Sequence, residues 1–544
     1  MPVSSETAAA ARGRGGALGR RLVRRYEQFT PARALFLVLV LGALARCAHL
    51  LVFGVDQPLV MGGLFLQFAE EIAANGFLLP ERIPYYSEGG LPFLYPPLAF
   101  YLLALPIHVF GLPEGPVINL LPVLISLFSI WLFYRLARRV LPSWRQAALG
   151  AFLFALLPNA MAEQMEAAGL AESLGTAMLL FFLITLADFY SAPGLRRALL
   201  SGCALGLCAL SSPGSAVGGA LTAVLFAGFF WWKHAAPRAE KLRGIGVIAA
   251  ASLLVVSPWL LHVATVGAET FAEAFATEMR TESLTGGTVW TRLWSLVTEF
   301  PLVYPPVFLW QFLAGLGLLA ALVDSRTRIV AVWTLAVFLL VPREGRWLIA
   351  PGVAFLALLA FQTLFERARR RLPREGHAWA IAVCVLTVLF LLFPYGTPLR
   401  AAFGTYTSFG QSVVLREDAF AAFDWIRQNT PEDARLLVVA NDYTLEQAPH
   451  ETRRTVINVL WGSEFQRAQW TRINTANEEL IDCTGAAREC VVQAAETLNA
   501  KMPLYVLARS SWLEERNAGP EGLLLLHKQG KLAVLRLWPE PAAE

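Results

Sequence analysis

The chain has 544 residues, of which 56% are hydrophobic and only 16% are charged. Its mean hydropathy of +0.51 lies far outside the range of soluble domains, so the composition excludes an ordinary soluble protein. The formal net charge of +4 is too small to indicate a nucleic-acid partner, and the placement of the charges matters more than their sum.

The first 30 residues form a polar tail rich in alanine, glycine and arginine, which we predict to be a disordered cytoplasmic segment. Apolar runs then recur along the chain, separated by short basic or Pro/Gly clusters. A helix needs about 20 apolar residues to cross a bilayer, so this pattern is typical of an α-helical polytopic membrane protein. We predict about eleven transmembrane helices, at residues 32–54, 117–137, 146–160, 172–190, 195–211, 214–232, 244–265, 303–323, 329–341, 347–366 and 378–394.

Basic residues precede the first predicted span and fill every second loop after it. Representative positions, one in each of these six segments, are Arg25, Arg139, Arg197, Arg243, Arg328 and Arg370. Most acidic loop residues lie in the alternate loops. The positive-inside rule therefore predicts a multi-pass protein of the plasma membrane, with a cytoplasmic N-terminus and an extracytoplasmic C-terminus.

The pattern divides the chain into the tail (1–30), a transmembrane domain (31–396) and a C-terminal domain (397–544). The transmembrane domain carries two long outer loops, 55–116 and 266–302, of which the second is a candidate lid or only a surface helix. In the C-terminal domain, we predict helices at 418–429 and 486–500 and strands at 436–440, 504–508, 523–526 and 532–537. We therefore expect a small extracytoplasmic α/β domain, which either shapes a substrate cleft or binds a protein partner.

Two of the six cysteines, Cys483 and Cys490, lie in this C-terminal domain. Disulfides persist outside the cytoplasm, so we predict a bridge between them, with two free thiols as the alternative. The other cysteines lie in apolar segments, where a packing role is expected.

Acidic side chains gather in the predicted outer loops. Asp56 directly follows the first span and precedes Gln57 and Pro58, so it is either a functional carboxylate at the membrane surface or a cap of the next helix. Glu166 and Glu172 surround the outer turn between the third and fourth spans, where the alternative is a solvated acidic loop. An ionisable group beside hydrocarbon indicates function by default, which makes these three the candidate acids.

Three arginines are the candidate cations. Arg343 and Arg346 lie in an outward turn, where the positive-inside rule disfavours basic residues, and a guanidinium group matches phosphate oxygens. Their alternative role is to bind lipid headgroups. Arg46, in the outer half of the first span, either snorkels outward or pairs with an acid or a phosphate at the floor of a cleft.

Several short motifs occur in a characteristic order along the transmembrane domain. They are Arg46, Asp56, Phe68-Ala69-Glu70, Tyr95-Pro96-Pro97, Gly169-Leu170-Ala171-Glu172 and Arg343-Glu344-Gly345-Arg346-Trp347-Leu348. In this order they resemble the C-type (GT-C) membrane glycosyltransferases, including protein O-mannosyltransferases, aminoarabinose transferases and oligosaccharyltransferase catalytic subunits. The resemblance covers most of residues 30–395. It implies a GT-C-like fold, a juxtamembrane element instead of a span at 92–110, and a role for Tyr95 in orienting donor or acceptor.

Two positions depart from the pattern of the family it resembles. Such families commonly carry two acids after the first span, whereas Gln57 and Pro58 follow Asp56 here. The residue before the Pro-Pro pair is often basic, and here it is Tyr95. Without paired acids we assign no metal ligands and no certain cofactor, and the need for a divalent metal is left open.

The acids face outward, away from the cytoplasmic nucleotide sugars, so the resemblance implies a polyprenyl-phosphate sugar as donor. We predict an inverting glycosyltransferase that acts on an extracytoplasmic glycan, lipid or protein, with Asp56 as general base. Arg343, Arg346 and Arg46 bind the phosphate, while Glu166, Glu172 and Tyr95 orient the substrates. The alternatives are a non-catalytic assembly subunit of this architecture and a carrier or flippase for lipid-linked glycans.

Overall fold

The computed structural model describes residues 30–59, 61–157, 167–233, 237–281, 305–324, 327–341, 348–371, 415, 417–484, 486–515 and 523–537. Residues up to 371 form a helical domain, and those from 415 onward form a small α/β domain that sits on one end of it. We call this end the domain-facing end of the helical domain.

The helical domain is built from apolar helices joined by short turns. Its helices are α1 (Pro31–Phe53), α2 (Gly63–Ala74), α3 (Leu98–Ala104), α4 (Glu114–Val140), α5 (Trp144–Leu156), α6 (Leu170–Ser191), α7 (Leu195–Ala209), α8 (Pro213–Lys233), α9 (Arg238–Val266), α10 (Ala268–Thr281), α11 (Pro305–Val323), α12 (Arg328–Leu340) and α13 (Ala350–Arg371). Each predicted span coincides with one of them, except 378–394, which lies outside the described residues.

Length and composition identify the helices that suit a membrane. Within the described segments, α4, α6 and α9 are long and apolar enough to cross a bilayer, and several other apolar helices are shorter. Helix α3 and the π-helical turn Leu105–Val109 together form a 12-residue apolar element. At about 1.5 Å per residue, this element is too short for the roughly 30 Å hydrocarbon core. The total number of spans stays a prediction.

The two ends of α1 follow from local sequence. Thr30 caps its N-terminus by accepting a hydrogen bond from the Arg33 N–H at 3.3 Å, and proline occupies the first turn, where its missing N–H costs nothing. At the other end, Gly54 adopts a φ of +80°, a backbone conformation that favours glycine. The helix therefore stops at Phe53, and the chain turns into the loop that carries Asp56.

Helices α7 and α9 pack closely because glycines line their contact. A Cβ atom added at Gly202 would lie 2.5 Å from the carbonyl oxygen of Ile248, and one at Gly206 would lie 2.6 Å from the Cβ of Val255. Small residues allow this approach between apolar helices. The packing fixes the middle of α9 beside α7.

The C-terminal domain contains a mixed five-stranded sheet. Its strands are β3 (Arg435–Val439), β4 (Thr455–Val456), β5 (Leu504–Arg509), β6 (Leu523–Gln529) and β7 (Leu532–Leu537), while β1 (Arg82–Ile83) and β2 (Leu91–Pro92) form a separate hairpin. The spatial order is β4-β3-β5-β7-β6, with β3 parallel to β4 and β5, and β7 antiparallel to β5 and β6.

Five helices accompany this sheet: α14 (Glu417–Asn429), α15 (Asp442–Thr452), α16 (Arg467–Asp482), α17 (Ala487–Thr497) and α18 (Ser510–Glu515). The predicted strands and the predicted helices at 418–429 and 486–500 overlap observed elements. Helices α15, α16 and α18 were absent from the sequence prediction, and α15 contacts α2 of the helical domain.

The hairpin loop of the helical domain extends this sheet. Tyr86 bridges Val456 of β4 in parallel, with the Ser87 N–H donating to the Val456 carbonyl at 3.0 Å and the Val456 N–H donating to the Tyr85 carbonyl at 2.9 Å. Next to this bridge, Arg435 of β3 forms a salt bridge with Glu88 at 2.9 Å. The guanidinium of Arg435 lowers the pKa of Glu88 below its ordinary value. Backbone pairing and charge thus join the two domains.

Candidate functional site

The loop between α1 and α2 holds Asp56 at the domain-facing end. The side chain of Asp56 is exposed, but its backbone is fixed. Asn119 of α4 donates its amide hydrogens to the carbonyls of Val55 and Gln57, and its amide oxygen accepts the N–H of Leu59 at 3.0 Å. The loop also lies against Gly115, where any Cβ would clash with the Asp56 carbonyl. A buried asparagine therefore fixes the backbone while the carboxylate stays accessible.

The same loop touches the start of α6, where Glu172 lies. The Ala167 N–H donates to the Leu59 carbonyl at 3.1 Å, and Glu172 follows in the first turn of α6. Glu172 is half-buried, and its Oε2 atom is fully buried. The loop of Asp56 and the first turn of α6 thus meet at this end. Glu166 lies outside the described residues.

Arg343 and Arg346 also lie outside the described residues, but the residues that bracket them, Val341 and Leu348, are described. A Cβ added at Gly218 of α8 would lie 2.5 Å from Leu348 Cδ1 and 4.0 Å from Val341 Cγ2. Val341 and Leu348 therefore both pack on α8, about one turn from its start.

The start of α8 in turn packs on α6. Gly175 of α6, three residues after Glu172, leaves no room for a Cβ against the Ser215 hydroxyl of α8. Because residues three apart lie on one helix face, this contact is one turn from Glu172. One end of the helical domain therefore holds Asp56, Glu172 and the two residues that flank the predicted arginine turn, Val341 and Leu348.

Arg46 of α1 is fully buried. This burial excludes the snorkelling alternative, because a snorkelling arginine keeps its guanidinium group in water. Pairing with an acid or a phosphate stays a prediction.

Tyr95 lies in an aromatic cluster that crosses the domain boundary. Its ring centroid is 5.2 Å from that of Phe68 on α2 and 4.8 Å from that of Phe465, which the C-terminal domain contributes. Phe465 in turn stacks on Phe271 of α10 at 6.1 Å. Edge-to-face and stacked aromatic pairs of this kind stabilise contacts beyond simple burial. Tyr95 is half-buried between the two domains.

Glu446 of α15 caps the N-terminus of α2. Its carboxylate accepts hydrogen bonds from the backbone N–H groups of Gly62 (3.1 Å), Gly63 (3.2 Å) and Leu64 (2.8 Å). These are donors that a helix start leaves without partners, and the helix dipole favours a negative charge there. Burial raises the pKa of Glu446, while the three N–H groups and nearby His450 act in the opposite direction. The C-terminal domain therefore fixes the end of the loop that begins at Gly54.

His450 lies one turn after Glu446 on the same face of α15. Arg453 directly follows the last residue of this helix. His450 Nδ1 is 3.2 Å from Gln67 Oε1, and Nε2 is 3.2 Å from a carboxylate oxygen of Glu114. Both neighbours present acceptor oxygens to the imidazole ring. Arg453 pairs with Glu70 on α2. The interface is thus held by a charged network as well as by the cap.

Glu464 lies in a 3₁₀ turn (Ser463–Phe465) next to this aromatic cluster. Desolvation by the surrounding protein raises the pKa of its carboxyl group to about 7. Backbone N–H groups of Gly462 and Glu464 oppose the shift. A carboxyl group with this pKa exchanges protons near neutral pH.

Two further predictions concern cysteine and metal. Cys483 and Cys490 are joined by a disulfide bond, with their Cα atoms 5.9 Å apart, at the junction of α16 and α17. In the described part of the chain, no group of three His, Cys, Asp or Glu side chains is placed to hold a metal ion.

The sequence analysis missed Asn119, Glu446, His450 and Glu464. Asn119 offered a signal, because it is an amide within an otherwise apolar run. Glu446, His450 and Arg453 have the spacing of one helix face, but their segment was not predicted to be a helix. No sequence pattern around Glu464 indicates a functional role for it.

The chain was compared with known proteins. Residues 95–262 match the family model described as dolichyl-phosphate-mannose-protein mannosyltransferase, a match that covers less than half of the chain. No curated protein matches the sequence.

Several solved structures are similar. The oligosaccharyltransferase of Archaeoglobus fulgidus in its apo form has a TM-score of 0.61 at 15% identity, over 89% of this chain and 70% of that one. ArnT from Cupriavidus metallidurans bound to undecaprenyl phosphate has a TM-score of 0.54 at 17% identity, over 91% and 97%. A variant of the mycobacterial arabinofuranosyltransferase AftD has a TM-score of 0.58 at 14% identity, over 94% and 42%.

Proposed function

The chain has the fold of the GT-C membrane glycosyltransferases, and from this premise we propose that it transfers a sugar from a polyprenyl-phosphate donor to an extracytoplasmic acceptor. Two solved structures of similar fold are described with such lipids, ArnT with undecaprenyl phosphate and the archaeal oligosaccharyltransferase AglB with dolichol phosphate. The acceptor is a glycan, a lipid or a protein, and the product has the inverted anomeric configuration.

In the proposed reaction, Asp56 accepts the proton of an acceptor hydroxyl group as its oxygen attacks the anomeric carbon. The bond from this carbon to the phosphate oxygen breaks, and polyprenyl phosphate leaves with the electron pair. Arg343 and Arg346 stabilise the charge on the departing phosphate. Glu172, with Glu166 and Tyr95, orients the substrates.

The observation that supports this proposal most directly is the state of the Asp56 loop. Its carboxylate is exposed while its backbone is held by Asn119 and by the Ala167 N–H, and Glu446 caps the helix that follows. A base on a fixed backbone is oriented before the substrate arrives, which lowers the entropic part of the barrier. A cap for the next helix is the competing role of Asp56, and in the structure Glu446 performs that role.

The proposal is tested with Asp56→Asn, because the amide keeps the shape of the side chain and removes its basicity. We expect transfer to fall by about 10²- to 10⁴-fold, the usual contribution of a general base. The assay incubates purified protein with radiolabelled polyprenyl-phosphate sugars and cell-envelope acceptors, and it measures radiolabel bound covalently to the acceptor.

Glu81→Gln is the matched control, because Glu81 is an exposed acid in the same region of the helical domain. Retained turnover in Asp56→Asn rules out Asp56 as the base. If the unsubstituted protein moves labelled lipid across a vesicle membrane without labelling any acceptor, the carrier alternative replaces the enzyme. If it does neither, the assembly-subunit alternative is favoured.

A further inference from the structure

Helix α4 carries a continuous stripe of side chains on its outer surface. The members recur at intervals of three and four residues and so share one helix face: Leu120, Leu124, Phe128, Trp131, Arg135 and Arg138. We call them the α4 stripe. The first three are 40%, 60% and 42% exposed, and both arginines are exposed. Exposed apolar side chains on a helix that is long enough to cross a bilayer are expected to face lipid.

The stripe changes from apolar to cationic along α4, and its side chains touch in that order. The rings of Phe128 and Trp131 stack with their centroids 5.5 Å apart. The guanidinium group of Arg135 lies over the Trp131 ring, 5.3 Å from its centroid, in a cation–π contact that orients the charge. Arg138 follows one turn later on the same face. Apolar, aromatic and cationic groups thus succeed one another as do the acyl chains, the interfacial region and the phosphate of a phospholipid.

The two arginines of the stripe differ from the arginine beside them. Arg139 forms a two-pronged salt bridge with Asp188 of α6, at 2.7 Å and 2.6 Å, so its charge is balanced within the protein. Over the ranges that the structure describes, the guanidinium groups of Arg135 and Arg138 have no such acid. A guanidinium group matches phosphate oxygens in geometry and in charge. The cationic end of the stripe therefore suits a phosphate.

The position of these arginines along α4 places them in the leaflet away from the C-terminal domain. Glu114, in the first turn of α4, lies 3.2 Å from His450 of that domain. At about 1.5 Å per residue, Arg135 is about 31 Å further along the helix, close to the thickness of the hydrocarbon core. Leu124 is about 16 Å from Arg135, roughly half of that thickness. A lipid of this leaflet therefore reaches from the arginines to the bilayer centre along the stripe.

Charge and position select the occupant of this surface. A symmetric dimer that paired two α4 stripes in one membrane would bring four guanidinium groups together, and like charges repel. The polyprenyl phosphate of the proposed reaction belongs at the other end of α4, where Gly115 lies against the Asp56 carbonyl. A phospholipid with a net negative charge matches both the apolar and the cationic part of the stripe.

We propose that the α4 stripe binds an anionic phospholipid, with the phosphate on Arg135 and Arg138 and an acyl chain along the apolar part of the stripe. This surface goes beyond the proposed function, because it lies in the opposite leaflet from the Asp56 loop and its occupation requires no sugar transfer.

The test uses the full-length protein in phosphatidylcholine nanodiscs that contain a small fraction of phosphatidylglycerol with a diazirine in one acyl chain. After illumination, the crosslinked peptides are mapped by mass spectrometry. We expect label in residues 120–131, and we expect unlabelled phosphatidylglycerol to displace it. A phosphatidylcholine probe with the same diazirine should label this segment more weakly, because its choline cation meets the two arginines.

Two variants and a matched control sharpen the test. Arg135→Gln combined with Arg138→Gln removes both cations, so we expect labelling by a subsaturating phosphatidylglycerol probe to fall about 10- to 30-fold. Trp131→Leu keeps the surface apolar but removes the cation–π contact, and labelling should fall about 2- to 5-fold. Arg196→Gln combined with Arg197→Gln is the control, because it removes the same charge from exposed positions at the start of α7 and should leave labelling unchanged. Size-exclusion chromatography checks that each variant is folded.

The proposal is overturned if both probes label residues 120–131 equally, if the label falls elsewhere, or if the variant without Arg135 and Arg138 is labelled like the unsubstituted protein. An equal loss in the control variant also overturns it, because total surface charge then explains the binding. Displacement by undecaprenyl phosphate at lower fractions than by phosphatidylglycerol would assign the stripe to a polyprenyl lipid instead, and crosslinks between two chains at the stripe would assign it to a dimer. A protein that transfers no sugar yet shows the expected labelling would refute the proposed function alone.

Discussion

Glu446 gives the sharpest prediction, because one buried side chain joins two domains. Its two carboxylate oxygens accept three backbone N–H groups at 2.8–3.2 Å, and the residue is 3% exposed. Glu446→Ala removes both acceptor oxygens and leaves the N–H groups of Gly62, Gly63 and Leu64 without this partner. The change therefore acts on the start of α2 and on the end of the Asp56 loop.

The magnitude follows from the number of donors. A buried polar group that loses its partner costs about 1–3 kcal/mol, so three groups at the low end give about 3 kcal/mol. The low end applies because water can enter the space that the side chain vacates. A change of about 3 kcal/mol makes local opening about 100-fold more frequent. Glu446→Gln should destabilise this contact less than Glu446→Ala. Its amide oxygen still accepts backbone N–H groups, although its amide nitrogen cannot accept one.

Amide hydrogen exchange measured by mass spectrometry reports this opening directly. We expect the amides of residues 62–64 to exchange about 100-fold faster in Glu446→Ala, with little change in α6. Glu451→Ala is the matched control, because Glu451 lies on the same helix and accepts a side-chain hydrogen bond, from Gln447 Nε2 at 3.1 Å. If residues 62–64 keep their protection in Glu446→Ala, or lose it equally in Glu451→Ala, the carboxylate is not the anchor.

Two further predictions concern single side chains. Asn119→Ala leaves the Leu59 N–H and the carbonyls of Val55 and Gln57 without their partner, so we expect kcat for sugar transfer to fall by up to about 100-fold at similar KM, measured by steady-state kinetics. Glu464 has a pKa raised to about 7 from an ordinary value near 4.5, so the unfolded chain releases this proton first as pH rises. Its contribution to stability is therefore present below about pH 4.5 and is lost as pH rises through about 7. Glu464→Gln should remove this part of the pH dependence of the apparent Tm, raising Tm at about pH 7.5 but not at about pH 5. An unchanged pH profile would contradict the assignment.

The helices of the helical domain could be predicted from the sequence because a membrane helix depends on the average hydropathy of a segment and not on single residues. A run of apolar residues is detectable wherever its neighbours lie, so predicted spans such as 117–137 and 172–190 coincide with α4 and α6. The strands of the C-terminal sheet were found for a similar reason, since Leu436–Val439 and Leu504–Ala508 are short apolar runs bounded by turns. Helix α15 was missed because its polar residues are buried by another domain, and no local pattern records that burial.

Only part of the candidate site could be predicted from the sequence. Asp56 and Glu172 were identifiable from their positions at the ends of apolar runs, and contacts made by the adjoining residues place both at one end of the helical domain. Glu446 is separated from the N–H groups it accepts by 382–384 residues of sequence, so its role depends on the tertiary fold.

The contacts of the Asp56 loop imply a division of labour between the two domains. Asn119 and Ala167, both in the helical domain, fix the loop between Val55 and Leu59, while Glu446 fixes its end at Gly62. The C-terminal domain is itself joined to the hairpin loop by the pairing of Tyr86 with Val456 and by the Glu88–Arg435 salt bridge. Movement of the C-terminal domain would therefore pull on both ends of the segment from Gly62 to Glu88, which contains α2. The aromatic cluster of Phe68, Tyr95 and Phe465 lies across the same boundary and would have to separate in that movement. The position of the Asp56 carboxylate is thus coupled to the docking of a domain that begins more than 340 residues later in the chain.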